Sequence, residues 1–260
     1  ARSVEGHPRP IAGAAGMNAS LAAREPVARY LATPPLLQHF DRVAQAPGGV
    51  ARLRELILTL AVQGKLVPQD PADEPASLLL ERIRDEKARR LKEGTIRKEK
   101  PLAAIAEEEK PFELPATWEW VRLGAVTNFG STIKANAISG HTWVLDLEDV
   151  EKSSGRLIQR VRFSDRRSLS DKNCFAVGDV LYGKLRPYLN KVLVAEEDGV
   201  CTTEIIPFRC YGPYIPHYFR IALSSPYFLD YVNVLSYGMK MPRLGTDDGR
   251  KALVPLAPLA

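Results

Sequence analysis

At 260 residues the chain is long enough to bury a real core and to form one or two domains. Apolar residues supply 45% and charged residues 26%, ordinary globular usage that excludes a disordered or fibrous chain. The net charge of +5 mildly favours a polyanionic partner, and it is no basic tail: residues 1–110 hold 18 Lys+Arg against 15 Asp+Glu, and residues 111–260 hold 18 against 16.

Residues 1–34 read as a leader or tag. Ala1 to Gly16 are small and polar without an apolar core, which excludes a secretory signal, and Met17 is the expected natural start. Leu36, Leu37, Phe40, Val43 and Ala44 recur at helical spacing until Pro47-Gly48-Gly49. A second helix carries the stripe Val50, Leu53, Leu56, Ile57, Leu60 and Ala61, with Gly64 where a C-cap belongs. A third follows Asp73-Glu74-Pro75, carries Leu79, Leu80, Ile83 and Leu91, and ends at Gly94. Residues 35–98 thus form a helical segment suited to packing, and the proline-rich stretch 99–111 reads as a boundary or a strapping linker.

From residue 112 the texture becomes strand-like. Trp118 to Gly124, Thr142 to Asp149, Leu157 to Phe163, Phe175 to Tyr182, Lys191 to Val194 and Cys201 to Arg209 predict one sheet of about six strands. Two short helices follow, around Tyr218 to Leu223 and Phe228 to Leu235. Strands first and helices afterwards indicate an α+β fold: a helical segment, then a small mixed sheet with flanking helices over 112–250.

No phosphate-binding P-loop, no dinucleotide fingerprint and no nucleophile elbow occurs, and the four histidines are scattered. Cys174, Cys201 and Cys210 form no metal-binding pair; an odd, sparse set suits a reducing cytoplasm. No apolar run is long enough to span a membrane. Glu204 reads as a lone structural acid. The binding inventory is fuller. Between Val180 and Ala195 there is no acid, and Lys184, Arg186 and Lys191 interleave with Tyr182, Tyr188 and Asn190 in what reads as a hairpin or hooked loop. Cations mixed with planar and amide side chains suit phosphate clamping and base-edge contact. Lys240 and Arg243 form a second basic segment, and Lys152, Arg156, Arg160, Arg162, Arg166, Arg167 and Lys172 a third. If the three converge they supply a phosphate footprint.

Several stretches resemble the specificity subunits of type I restriction-modification systems. They are Ala51 to Pro68, Leu114 to Gly124, Gly178 to Lys191, Thr202-Thr203-Glu204, Met241 to Gly245 and Pro255 to Leu259, in matching order from about Leu36 to the end. The resemblance implies a DNA-reading chain without catalysis. It also implies partners: duplex DNA, methyltransferase (modification) subunits and a restriction motor subunit. S-adenosylmethionine, ATP and Mg would be used by those partners and no cofactor by this chain. One recognition domain is present where the family has two, and residues 251–260 read as a truncated lead-in to a long spacer helix. A fragment is therefore the expectation over a half-subunit that dimerises.

The resulting assignment is Tyr182, Lys184, Arg186, Tyr188, Asn190, Lys191, Lys240 and Arg243 as DNA contacts, and Leu53, Leu56, Ile57 and Leu60 as a partner-docking stripe. Two alternatives stand beside it: a non-catalytic scaffold docking partner helices, and a divergent metal-dependent nuclease using Asp146, Glu148 and Asp149.

Overall fold

The computed structural model describes residues 39–236 and 240–259. The chain divides into two compact units between Arg52 and Leu53. Leu36 and Leu37, the leader and Met17 lie outside the described residues. In the first unit, helix α1 (Phe40–Gln45) stops at Ala46, whose backbone is extended, and Gly48 turns the chain with a φ of 72°. Gly49 opens helix α2 (Gly49–Val62), which crosses the boundary between the units.

Within the second unit α2 ends as its sequence dictates. Gly64 adopts a φ of 65°, and the Lys65 N–H donates to Leu60 O at 2.8 Å, closing the last turn around a residue that needs no Cβ. A side chain there would meet Pro115 Cγ at 2.5 Å. Helix α3 (Ala76–Lys92) starts after Pro75 and puts Arg89, Arg90 and Lys92 in its last turn, where the helix dipole favours cations. Ala76, Leu79 and Ile83 are buried in the same core as Val121, Phe208 and Phe228. Burial of Leu79 and Ile83 contributes roughly 1.5–3 kcal/mol each. α3 is therefore part of the sheet domain's core and not of a separate docking segment.

The single six-stranded sheet is corrected to three small sheets. Strands β1 (Glu119–Arg122) and β11 (Leu253–Leu256) pair antiparallel. A four-stranded sheet has the order β2 (Thr127–Asn128), β10 (Ile205–Cys210), β7 (Val180–Gly183), β8 (Val192–Val194). A five-stranded sheet has the order β3 (Ser131–Ile133), β6 (Lys172–Phe175), β9 (Gly199–Cys201), β4 (Trp143–Leu145), β5 (Val161–Arg162). Its β4–β9 pair is parallel. The run from Phe175 to Tyr182 breaks because Asp179 accepts the Ala176 N–H at 2.8 Å while Gly178 takes a φ of 84°, so the chain changes sheets there. Around this frame lie a one-turn helix α4 (Leu123–Val126), helices α5 (Pro216–Ser224) and α6 (Pro226–Leu235), and α7 (Thr246–Lys251).

Two stretches at the boundaries of the sheet domain take definite structure. The presumed spacer lead-in is strand β11, which holds Pro255 opposite Trp120; proline is tolerated because a two-stranded ribbon has free edges. The stretch 99–111 is strapped down. Buried Arg122 donates to Ala103 O at 2.8 Å, to Ala104 O at 3.1 Å, to Glu109 at 2.8 Å and to Lys251 O at 3.0 Å. One guanidinium therefore fastens residues 103–109 to the sheet domain.

Candidate nucleic-acid interface

β7 and β8 form a hairpin, with Val180 opposite Val194 and Tyr182 opposite Val192. Its connection contains a 3₁₀ turn, Pro187–Leu189, flanked by two residues in the left-handed region: Arg186 at φ 51° and Asn190 at φ 47°. Neither is glycine, so each costs on the order of 1–2 kcal/mol, and the surrounding contacts must hold the turn in place. They do so from the second basic segment. Leu185 and Arg243 form an antiparallel bridge, the Arg186 N–H donates to Pro242 O at 2.9 Å, and the Leu244 N–H donates to Lys184 O at 3.0 Å. Two stretches almost sixty residues apart therefore become one basic surface.

On that surface Arg186, Tyr188, Lys240 and Arg243 are exposed and Lys184 is half-buried. Lys184, Arg186 and Lys240 have no acidic partner among the described residues, whereas Arg243 Nε donates to Glu204 Oε2 at 3.0 Å. The Glu204 carbonyl also accepts the Lys184 N–H at 2.9 Å. Glu204, read from sequence as a lone acid, is thus a member of the surface; it is twenty residues from Lys184 and thirty-nine from Arg243 in sequence, so no spacing pointed to it.

Three assigned contacts are corrected. Tyr182 is 1% exposed, packed edge-on against Phe228 with centroids 5.6 Å apart. Strand alternation in a hairpin buried on both faces sends it inward, and burial raises its phenol above the ordinary range. Asn190 Nδ2 donates to Ser224 O at 3.0 Å, and its Oδ1 is buried without a protein partner. The amide anchors the turn to the end of α5 instead of facing outward. Lys191 Nζ donates to Leu147 O at 2.7 Å, which ties the hairpin to the neighbouring loop.

The third basic segment is largely neutralised. Arg156 pairs with Glu151, whose carboxyl it holds down to about 2 together with Ser154. Arg160 and Arg162 share a face, as their spacing predicts, but both bind Glu197, and Arg160 also lies over the Trp143 ring at 4.6 Å. Arg166 is surrounded by Asp146, Glu148 and Asp149. Burial alone would push the Asp149 carboxyl up; bonds from Arg166, the Asp146 N–H and Gln159 outweigh it and hold the carboxyl below its ordinary range. A guanidinium occupies the centre of the three acids that a nuclease would need for metal, and no metal-binding cluster occurs among the described residues. Lys172 is buried beneath the Ser168 and Ser170 hydroxyls. The backbone next to Lys152 reaches the turn, the Ser153 N–H donating to Leu189 O at 2.9 Å.

The docking stripe lies on α2. Leu56 and Ile57 are each 43% exposed and Leu53 and Leu60 are half-buried, so none of the four belongs to the core.

No family model matches the chain. Among curated proteins it is 34% identical over 243 residues to the type I restriction enzyme EcoAI specificity subunit of Escherichia coli, a match covering 85% of this chain and 39% of that protein. It is 58% identical over 86 residues to the EcoEI specificity subunit of the same organism, covering 33% of this chain and 14% of that one. Both relatives are type I restriction-enzyme specificity subunits, and the matches support that family for this chain. It spans about two fifths of the EcoAI relative's length. A solved structure reported as the structural basis of complex assembly and conformational transition of the type I R-M system shares its fold with the matched part of this chain. The TM-score is 0.52 at 22% identity, covering 57% of this chain and 40% of that one.

No helix among the described residues is long and apolar enough to cross a membrane.

Proposed function

We propose that this chain reads one part of a split duplex DNA sequence and thereby directs the methyltransferase and endonuclease subunits of a type I restriction-modification complex. The observation that carries the reading is the joining of Lys184 and Arg186 to Lys240 and Arg243 on one strained, externally braced turn, in a chain whose relatives are specificity subunits. Cations without acidic partners suit phosphates, whose contacts set position and affinity. Tyr188, exposed at the tip, suits contact with a base or sugar. In this reading the chain has no catalysis and no cofactor of its own. S-adenosylmethionine, ATP and Mg serve the partner subunits, and three free thiols fit a cytoplasmic setting. The exposed Leu56 and Ile57 support docking of a modification subunit on α2; the motor subunit joins that assembly.

Arg186→Ala in the complex with the modification subunit is expected to lower DNA affinity at least several-fold for every sequence. It should also reduce the slope of log K against log salt by about 0.9, the value for one lost phosphate contact. Unchanged affinity and an unchanged slope would remove the turn from the interface.

A further inference from the structure

We propose that Arg243 reads a guanine edge and not a phosphate, and that Glu204 is the positioning residue that makes this possible. The inference rests on the DNA-recognition reading above. Arg243 Nε is engaged by Glu204 Oε2 at 3.0 Å, while the Nη1 and Nη2 groups have no partner among the described residues. The arginine side chain is 51% exposed and the glutamate 25%. Both ends of the pair stand on registered backbone: the Glu204 carbonyl holds the Lys184 N–H, and Arg243 bridges Leu185. The guanidinium fork is therefore fixed at its Nε edge and open at its tip.

That arrangement separates two kinds of target. A phosphate is recognised chiefly by charge, and beside Arg243 the Glu204 carboxylate offsets the attraction and repels the anion. A guanine is uncharged and offers two acceptors, O6 and N7, in the major groove at the spacing of two parallel N–H donors. Pairing with a carboxylate costs that contact little and removes the rotamer freedom that it would otherwise have to freeze. Lys184, Arg186 and Lys240, without acids beside them, keep the charge that phosphates need.

The test uses this chain assembled with its modification subunit. Wild type first selects a duplex from a random pool, and each position of the selected motif is then varied in equilibrium competition at several salt concentrations. Arg243→Ala is expected to abolish discrimination at one G·C position, a loss of roughly five- to a hundred-fold, with the other positions and the salt slope unchanged. Glu204→Gln keeps an acceptor for Nε and should retain the guanine preference while binding all duplexes more tightly, since a negative charge is gone. Glu204→Ala should lose the preference yet gain in overall affinity. Thermal unfolding of each variant is expected to stay close to wild type, because a half-exposed arginine makes the pair a weak contributor to stability. A uniform affinity loss in Arg243→Ala with a shallower salt slope would make Arg243 a phosphate contact and overturn the assignment while leaving DNA recognition intact. A wild-type chain that selects no motif would overturn both.

Discussion

Tyr182, Asn190 and Lys191 show how the residue scale divides what a sequence displays from what a fold decides. Cation and aromatic side chains between Gly178 and Ala195 were visible as a group, but their directions depend on what packs behind the hairpin. Tyr182 faces Phe208 and Phe228, Asn190 faces Ser224, and Lys191 faces Leu147; none of these partners is near in sequence. Because the Tyr182 hydroxyl is buried with no protein partner, Tyr182→Phe removes an unsatisfied polar atom. Unfolding should show equal or greater stability, by up to about 1–2 kcal/mol, with DNA affinity unchanged. A loss of both would return Tyr182 to the interface. Asp149 is a second case. Its carboxyl is held below the ordinary range in the folded protein, so its contribution to stability is complete above about pH 4, the unfolded value. That contribution is lost as the pH falls through the lower folded value. Melting temperature should decline across that window, and titration of the Asp149 side-chain carboxyl at or above the ordinary value would contradict the Arg166 bond.

At the scale of elements, helices were legible because periodicity and stop signals agree. α3, α5 and α6 fall near their expected places, and Gly64 and Gly94 end their helices with positive φ as glycine permits. Strands were less so. Most run only two to four residues, too few for alternation to show, and one expected strand is two separated by the Gly178 turn. The α2 stripe has helical spacing, but spacing alone does not distinguish a core face from a docking face. The exposure of Leu56 and Ile57 takes them out of the described core. Replacing both with serine should leave thermal stability within about 0.5 kcal/mol, as for surface positions, while weakening association with the modification subunit at least tenfold in a titration. A large fall in stability with assembly intact would place the stripe in the core.

For the whole molecule, sheet order was beyond the sequence because it depends on distant pairings. β11 closes on β1, β10 lies between β2 and β7, and β9 runs parallel to β4. Long-range contacts likewise bring residues 184–186 beside residues 242–244, a convergence that the order of basic segments left open and that charge counting did not resolve. Arg156, Arg160, Arg162 and Arg166 of the third basic segment are paired with acids, so the unpaired positive surface is smaller and more local than the sequence suggested. Phosphate attraction alone collapses with salt, whereas a surface that also holds fixed donors toward base edges keeps its preference. Selection from random duplex DNA by this chain with its modification subunit, at low and at moderate salt, tests that distinction directly. Recognition through the braced turn predicts a short enriched motif that survives the higher salt. Binding without any motif, lost as salt rises, would contradict it.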